Sequence, residues 1–571
     1  MTARKTWTAG QAVVEALKAQ GVRVIFGLPG RHVFPIYDAL RDSPIRHVGV
    51  LHEANAAQMA DAYGRLTGRA GVCLFTGGPG ATNALTAMAQ AYDAASPVVQ
   101  IAGAVPRGAP PETFHGVGRP DFLTRTFRDV TKWTARIESV EGVFPVMRRA
   151  FHEAQAGRPG PVFVEVPLDV FKLPPTPLPP LPNPPAQAAP PPPPRPSRQA
   201  IRDIAGGLLR ARRPVVFAGK GVLRDGAAAE VASLAEALGA PVVVARDALG
   251  AIPARHPWSA GHLCFWSTDP WVKTVLRAAD AVLVAGLRAE SAFWKQVVAQ
   301  TGTASKFLLG TDVKRRRLEG ARVAENSHLG RGLGALLEAI REDGPGRSRW
   351  DEKVFQKGCQ AVRRHLQNHV RRFSRRRPGR IHQGWAVNEI FRTLPEAGIF
   401  VSEVCHASYW AWKLTPAPHV ASFQHSGVWS GMGFGLPAAS AAKLCHPDRP
   451  VVAMVGDGGL WMSLADFPTL VRQGLPVVLV VMNDAHFGMV RQFQLEDFGR
   501  TFEDRTPVQD FAALAEAMGG LGLRVDSPAG LVPALRRGLA SDRPCILDLK
   551  CAHDDPYPDW SAVGGRLPRL R

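Results

Sequence analysis

Asp457 and Asp484 stand 27 residues apart (457 to 484), each just after a run of large apolar residues. PVVAMV precedes Gly456-Asp457-Gly458-Gly459, and PVVLVVM precedes Asn483-Asp484. The stretch between them, LWMSLADFPTLVRQGL, has room for a helix. A strand–helix–strand reading puts both acidic residues at the carboxyl ends of strands, where doubly wound sheets bind their ligands. Gly458 and Gly459 leave backbone amides open to a phosphate, and the helix start behind them adds favourable partial charge. A carboxylate beside such an anion suits Mg²⁺ bridging protein and phosphate oxygens. A bare Gly-Asp-Gly is a common turn, so the second acidic position is what makes this a candidate site.

Three more residues carry candidate chemistry. Glu53 follows the apolar stretch His47–Leu51 and opens the helical pattern EANAAQMADAYGRL, where an acidic residue also suits the helix dipole. His32 in GLPGRHVFPIYD and His115 in PPETFHGVGRPD lie in turns. Imidazole titrates near neutrality, so each is a candidate to hydrogen-bond a substrate or relay a proton. His52, beside Glu53, reads as structural.

These residues need elements to hold them. Residues 1–170 alternate helical patterns with short apolar runs (Val22–Gly27, His47–Leu51, Gly71–Phe75, Val98–Ile101, Val162–Val166), which predicts a parallel sheet covered on both faces. Residues 171–196 turn to proline and alanine and read as an extended linker. Residues 197–345 restart the alternation, residues 346–380 read as a basic linker, and residues 381–571 form a third α/β unit. Three domains of doubly wound, parallel-sheet α/β type fit a chain of 571 residues.

Composition narrows the function classes. A hydrophobic fraction of 46% with 21% charged residues belongs to a folded globular protein, and no apolar run is long enough for a membrane helix. The start has an amphipathic helix pattern and no signal core, so a cytoplasmic protein is expected. Seven scattered cysteines without CxxC spacing argue against a disulfide framework and a zinc site. The net charge of +20 raises a nucleic-acid reading. Its clusters, Lys314–Arg317 and Arg363–Arg380, lack interleaved aromatics, and the second falls in the expected linker. Solvated basic segments are the better account.

The paired acidic motif closely resembles the GDG…NN signature of thiamine-diphosphate enzymes, and the rest of the chain is similar to the acetolactate synthase superfamily. HSGVWSGMGFGLPAASAAKL, EVCHASYW, the Glu53 segment, LFTGGPGATNAL, AYDAASPVVQIAG and GRPGPVFVEVPLDV all track that superfamily, over nearly the entire chain. The resemblance implies a pyrimidine-binding domain (1–170), a middle domain (197–345) and a diphosphate-binding domain (381–571). It assigns Mg²⁺ to Asp457, Asp484 and the backbone carbonyl of His486. Asp484 stands where many members carry Asn, and another carboxylate is a competent hard ligand. Gly456, Gly458, Gly459, Phe487, Gly488 and Met489 become cofactor contacts, with Gly431 and Met432, the apolar residue that bends the cofactor into a V. Cys405 and His406 replace Gly and Gln of the usual diphosphate-contacting turn, so only their backbone contacts carry over. Pro79 and Asn83 come from the first domain beside Glu53, the carboxyl group that exchanges a proton with the cofactor's pyrimidine.

The resemblance further implies a homodimer or homotetramer, each cofactor lying between one subunit's first domain and another's third. The implied activity is a carboligase with a 2-oxo acid donor, decarboxylated before its acyl carbanion equivalent adds to a second carbonyl. Substrate-facing departures keep a 2-oxo-acid decarboxylase and a 2-hydroxyacyl or benzaldehyde-type lyase open. Phe493 replaces a Trp, Leu168 replaces a Lys, Phe114-His115-Gly116 replaces Phe-Gln-Glu, and His32 matches a benzaldehyde lyase histidine. A non-catalytic or nucleic-acid-binding descendant is disfavoured, because packing alone needs none of Glu53, Met432 and Asp457. FAD is a candidate for the middle domain. The turn with Gly219 and Gly221, and Arg288, favour it; the missing MGxHG-type segment around Ser259–Ser267 opposes it.

Overall fold

The computed structural model describes residues 6–178, 194–264, 268–288, 291–311, 313, 320–344, 346–374, 380–414, 423–555, 557, 560, 567–568 and 570. Three parallel sheets of six strands each are flanked by helices. The first runs Arg46–Gly49, Val24–Leu28, Gly71–Phe75, Val98–Ala104, Pro161–Pro167 and Trp133–Arg136 across its width. The third runs Phe423–His425, Ile399–Ser402, Val451–Gly456, Val478–Asn483, Cys545–Lys550 and Leu521–Val525. Numbered by chain order within each unit, both are 2-1-3-4-6-5. The middle sheet, from Ser259–Leu263 to Ala321–Asn326, is 3-2-1-4-5-6, the order of dinucleotide-binding folds.

The apolar runs became strands because they are hydrophobic on both faces, as strands covered by helices on two sides must be. Val451–Gly456 and Val478–Asn483 are buried throughout. Trp133–Arg136 was not foreseen, since it is half-buried along its length and has no apolar run.

The units do not have separate cores. One face of the first sheet merges with the third unit into a single apolar cluster that includes Phe26, Met59, Met88, Phe434 and Phe467. Helix Glu53–Thr67 packs on helix Gly435–Cys445 across this seam. The buried carboxylate of Asp466 pins it, accepting from the Leu51 amide at 2.7 Å, Asn55 Nδ2 at 2.5 Å and Thr469 Oγ1 at 2.9 Å. Asp466→Ala strands those donors and is expected to cost roughly 3 kcal/mol. A urea midpoint unchanged at fixed protein concentration would count against the clamp.

The expected basic linker at 346–380 is instead largely helical over Glu352–Ser374. Phe355, Val362, Leu366 and Val370 form a buried stripe at helical spacing, and the arginines among them point outward. The charge density hid that stripe, and the basic segment is a packed element of the middle and third units' shared core. The expected proline-rich linker lies mostly outside the described residues, but its first part does not run free. Thr176–Pro177 pairs antiparallel with Thr6–Trp7. Lys314–Arg317 lies outside the described residues. All seven cysteines are unpaired thiols, and no described helix is long and apolar enough to cross a membrane.

Candidate active site

Both outer sheets reverse strand order between their first and third strands, and the predicted residues gather at those two switch points. In the third unit Asp457 opens a short helix directly after Val451–Gly456, and Asp484 directly follows Val478–Asn483. Asp457 Oδ1 accepts from its neighbour's amide, Gly458 N, at 2.8 Å, and Oδ2 accepts from Thr506 Oγ1 at 2.7 Å. Asp484 Oδ1 accepts from His486 N at 3.0 Å, and Oδ2 accepts from Gln383 Nε2 at 2.9 Å. Burial raises the pKa of both carboxyl groups. For Asp484, burial first and the Asp457 charge second push it up to about 8. Two buried like charges held side by side are the donor set a hard dication relieves.

His486 pairs with Arg505 in an isolated bridge that uses the Ala485 carbonyl and Phe487 amide, leaving the His486 carbonyl outside that ladder. Among the described residues no three His, Cys, Asp or Glu side chains form a metal cage. Asp457, Asp484 and the His486 carbonyl are the groups here that could hold a metal.

The glycines have packing reasons besides open amides. A Cβ on Gly458 would lie 2.5 Å from the Phe487 ring, one on Gly459 2.3 Å from Glu403 Oε1, and one on Gly456 2.9 Å from Cys405 Cβ. Gly488 begins the helix Gly488–Phe498, where a Cβ would crowd Asp484 Oδ2 and His406 at 3.0 Å. Met489 follows in the same helix, half-buried.

Two residues in this cluster had no role assigned from sequence. Gln383 places its amide between Asp484, the Ala552 carbonyl (3.2 Å) and His406 Nδ1 (3.3 Å to Oε1). Because Nε2 also donates to Ala552, its amide orientation is set, and it offers N–H to position 484. An Asp accepts that bond with either oxygen, which gives a physical reason for Asp at 484. Glu403 is buried with its carboxylate capping the Gly433 and Gly435 amides, and burial pushes its pKa up to about 7. It anchors the Gly431-Met432-Gly433 loop. Glu403 sits inside EVCHASYW, yet as one acidic residue after a strand it carried no distinguishing signal. Half-buried Met432 passes its carbonyl to Gln58 Nε2 of the first unit at 3.4 Å. Cys405 N is held by Ser408 Oγ at 2.9 Å, and burial pushes its thiol up to about 12.

The first unit's switch point carries Glu53, 8% exposed, with Oε2 accepting from Asn83 Nδ2 at 2.9 Å. Asn83 ends the short helix Pro79–Asn83, and a Cβ on Gly80 would approach Glu53 Oε1 to 3.2 Å. His52 caps the Glu53 helix by accepting from Ala54 N, so it is structural. His32 and His115, 83 positions apart in sequence (115 − 32), have ring centroids 5.1 Å apart, with Phe114 stacked on both. His32 Nδ1 meets Thr76 Oγ1 at 3.3 Å. Burial, then the neighbouring His115 and Arg31, hold His32 down at about 4, so the imidazole is neutral at ordinary pH. His115 sits at φ +66 with a buried, unpartnered Nδ1, and burial lowers its pKa too. Among the described residues no hydrogen bond or ion pair joins this cluster to the Asp457 cluster of the same chain.

Burial also lowers His406, stacked on Tyr557, to about 4. Its folded pKa lies below the unfolded value of 6.5, so the unfolded chain binds its proton first. The stability this neutral imidazole contributes is present above about pH 6.5 and lost as pH falls towards 4. His406→Gln is expected to flatten the acid-side fall in denaturation midpoint by about one proton's slope. Identical slopes would place the linked proton elsewhere.

The middle sheet's switch point holds a cleft of about 450 Å³ lined by Lys220, Gly221, Arg224, Gly286 and Arg288, with Arg158 from the first unit. Gly221 and Gly286 let two turns meet backbone to backbone.

Comparison with known proteins matches all three units. Residues 7–117 match the thiamine pyrophosphate enzyme N-terminal TPP binding domain, residues 201–308 the central domain, and residues 403–549 the C-terminal TPP binding domain. Acetolactate synthase of Mycobacterium bovis is 30% identical over 98% of this chain and 90% of its own length. Acetolactate synthase isozyme 2 large subunit of Escherichia coli is 31% identical over 94% of each chain. A probable acetolactate synthase large subunit of Methanocaldococcus jannaschii is 30% identical over 98% of this chain and 94% of its own.

Proposed function

This chain belongs to the thiamine pyrophosphate enzyme family, and from that premise we propose that it joins a 2-oxo acid donor to a second carbonyl compound with Mg²⁺ as the cofactor's metal. That it is a thiamine-diphosphate-dependent, carbon–carbon bond-forming enzyme follows from its acetolactate synthase relatives and its three matching domains. The observation carrying the finer reading is the buried Asp457–Asp484 pair at neighbouring strand ends, mirrored by Glu53 at the first sheet's switch point.

Bound thiamine diphosphate supplies an electron sink for making or breaking a bond next to a carbonyl. Asp457, Asp484 and the His486 carbonyl would hold Mg²⁺, which would neutralise diphosphate charge. Gly456, Gly458 and Gly459, the backbone of Cys405 and His406, and Phe487, Gly488 and Met489 would contact the diphosphate. Gly431 and Met432, anchored by Glu403, orient the cofactor. Glu53, steadied by Asn83 and Pro79's short helix, holds and returns a proton at Oε1 or Oε2. Neutral His32 and His115 hydrogen-bond the substrate oxygen.

We assign the complete site to two copies of the chain, and the cytoplasm as its location. Trp429, Trp461, Met462, Phe493, Phe498 and Phe502 leave apolar surface exposed around the third unit's site, as an interface does. The basic cleft of the middle unit suits a nucleotide diphosphate, and FAD is the occupant to test. Flavin released on heating the purified protein assigns it; colourless protein with none removes it.

The His32–Phe114–His115 cluster favours a second reading, lyase chemistry on 2-hydroxy ketones, since paired imidazoles can move a hydroxyl proton. Incubation of pyruvate and a second carbonyl compound with thiamine diphosphate and Mg²⁺ is expected to give the coupled product by mass spectrometry. Free aldehyde alone would make it a decarboxylase. Cleavage of an added 2-hydroxy ketone without coupling would make it a lyase.

A further inference from the structure

A cavity of about 390 Å³ lies where the middle sheet's edge strand Ser259–Leu263, helix Glu352–Ser374 and helix Ser408–Leu414 meet. None of the cofactor-site residues lines it, nor do Gly221 and Gly286 of the nucleotide-type cleft. Its volume is in the range of small-molecule sites, roughly 300–1,000 Å³.

Among the described residues, two buried groups lining this space, an ammonium and an imidazole, have a nitrogen without a hydrogen-bond partner. The side chain of Lys413 is 3% exposed, and its ammonium donates no hydrogen bond. Its nearest carboxylate oxygen, Asp269 Oδ2, is 3.9 Å away, while Asp269 Oδ1 is taken up capping Val272 N at 2.9 Å. Nζ also lies 5.5 Å from the centroid of the Trp560 ring. His262 is 4% exposed and its Nε2 is unpartnered. A buried ammonium and a buried ring nitrogen without hydrogen-bond partners are costly, and here both line one cavity. Burial lowers the proton affinity of both.

The charge balance points one way. Among the described residues, Lys413 and the exposed Arg255 and Arg363 line the space against one carboxylate, Asp269, so an anion is favoured over a cation. The walls add a second requirement. Trp271, Trp412 and Leu366 are apolar, which suits a ligand with a hydrophobic body more than a bare phosphate.

We propose that this cavity binds a small organic carboxylate, its oxygens meeting Lys413 Nζ and His262 Nε2–H and its apolar body lying between the tryptophans. Arg255 and Arg363 draw the anion in from solvent. Lys413 lies in the last turn of the helix Ser408–Leu414, which begins just after the Cys405-His406 turn.

The probe is phenylacetate, with phenylacetamide as its uncharged counterpart, titrated calorimetrically into the full-length protein saturated with thiamine diphosphate and Mg²⁺. Phenylacetate is expected to bind at least about tenfold more tightly than the amide, because only the carboxylate forms charge-assisted hydrogen bonds. Lys413→Met, which keeps volume and removes the charge, is expected to erase that preference. Arg363→Gln, at an exposed helix position, is expected to weaken phenylacetate several-fold and reduce its salt dependence. No binding of phenylacetate, or equal binding of acid and amide by the unaltered protein, overturns the proposal. So does a preference that survives in Lys413→Met. Should Lys413→Met not fold, undiminished phenylacetate affinity in Arg363→Gln overturns it by itself. The readout is binding, so it stands or falls separately from the reaction catalysed.

Discussion

Glu53→Gln is expected to lower turnover by about 10²–10⁴-fold, the usual contribution of a positioned acid–base group. Gln keeps the shape of Glu and can still accept from Asn83 Nδ2, whose bond to Oε2 is 2.9 Å. It therefore preserves the helix start and the Pro79–Asn83 turn while losing the exchangeable proton. Uptake of the cofactor's diphosphate end is expected to remain, because the contacts proposed for it belong to the third unit. Steady-state product formation and calorimetric cofactor binding, measured together, separate the two effects. Normal product formation by the variant would remove Glu53 from the mechanism.

Asp457→Ala is expected to give the opposite pattern. It deletes one of the two buried carboxylates, and loss of Mg²⁺-dependent thiamine-diphosphate affinity by at least about 100-fold is expected, beyond what outer-sphere changes cause. The Thr506 hydroxyl and Gly458 amide lose their acceptor at the same time. Titration calorimetry with and without Mg²⁺ reads this out, and unchanged affinity would defeat the metal assignment. Asp484→Asn makes a sharper companion. Its side-chain amide must satisfy the His486 N–H with oxygen and therefore turns N–H toward Gln383 Nε2, donor against donor. Weaker cofactor binding by roughly 1–3 kcal/mol is expected, rescued in part by Gln383→Glu. Wild-type binding in Asp484→Asn would show that Gln383 does not decide the residue type at 484.

What could be read early follows from physics that is local in sequence. A fully covered parallel strand must be apolar on both faces, so Gly71–Phe75, Val451–Gly456 and Val478–Asn483 were visible as runs, and with them the strand ends where Asp457 and Asp484 sit. Trp133–Arg136 was not visible, because an edge strand half-covered by helices needs no such run. The helix Glu352–Ser374 was read as a linker because its six lysines and arginines outnumber the four apolar residues that seat it.

The outer sheets' shared strand order, the fused core and the Asp466 clamp lie beyond local reading, since Leu51 and Asp466 are 415 residues apart. The same holds within the site. His32 and His115 were separate candidates, and only strand order brings their rings to 5.1 Å with Phe114 between them and solvent. Gln383 and Glu403 gained roles only when folding placed one against Asp484 and the other under the Met432 loop. By itself the sequence determined the residue chemistry and the strand ends that present it, because side-chain type and continuous apolar runs are properties of short segments. Tertiary structure alone decided which carboxylates share a charge, which histidines are neutral and which glycines cannot change. Burial, pKa and contact are set by whatever the fold brings alongside, at any distance along the chain.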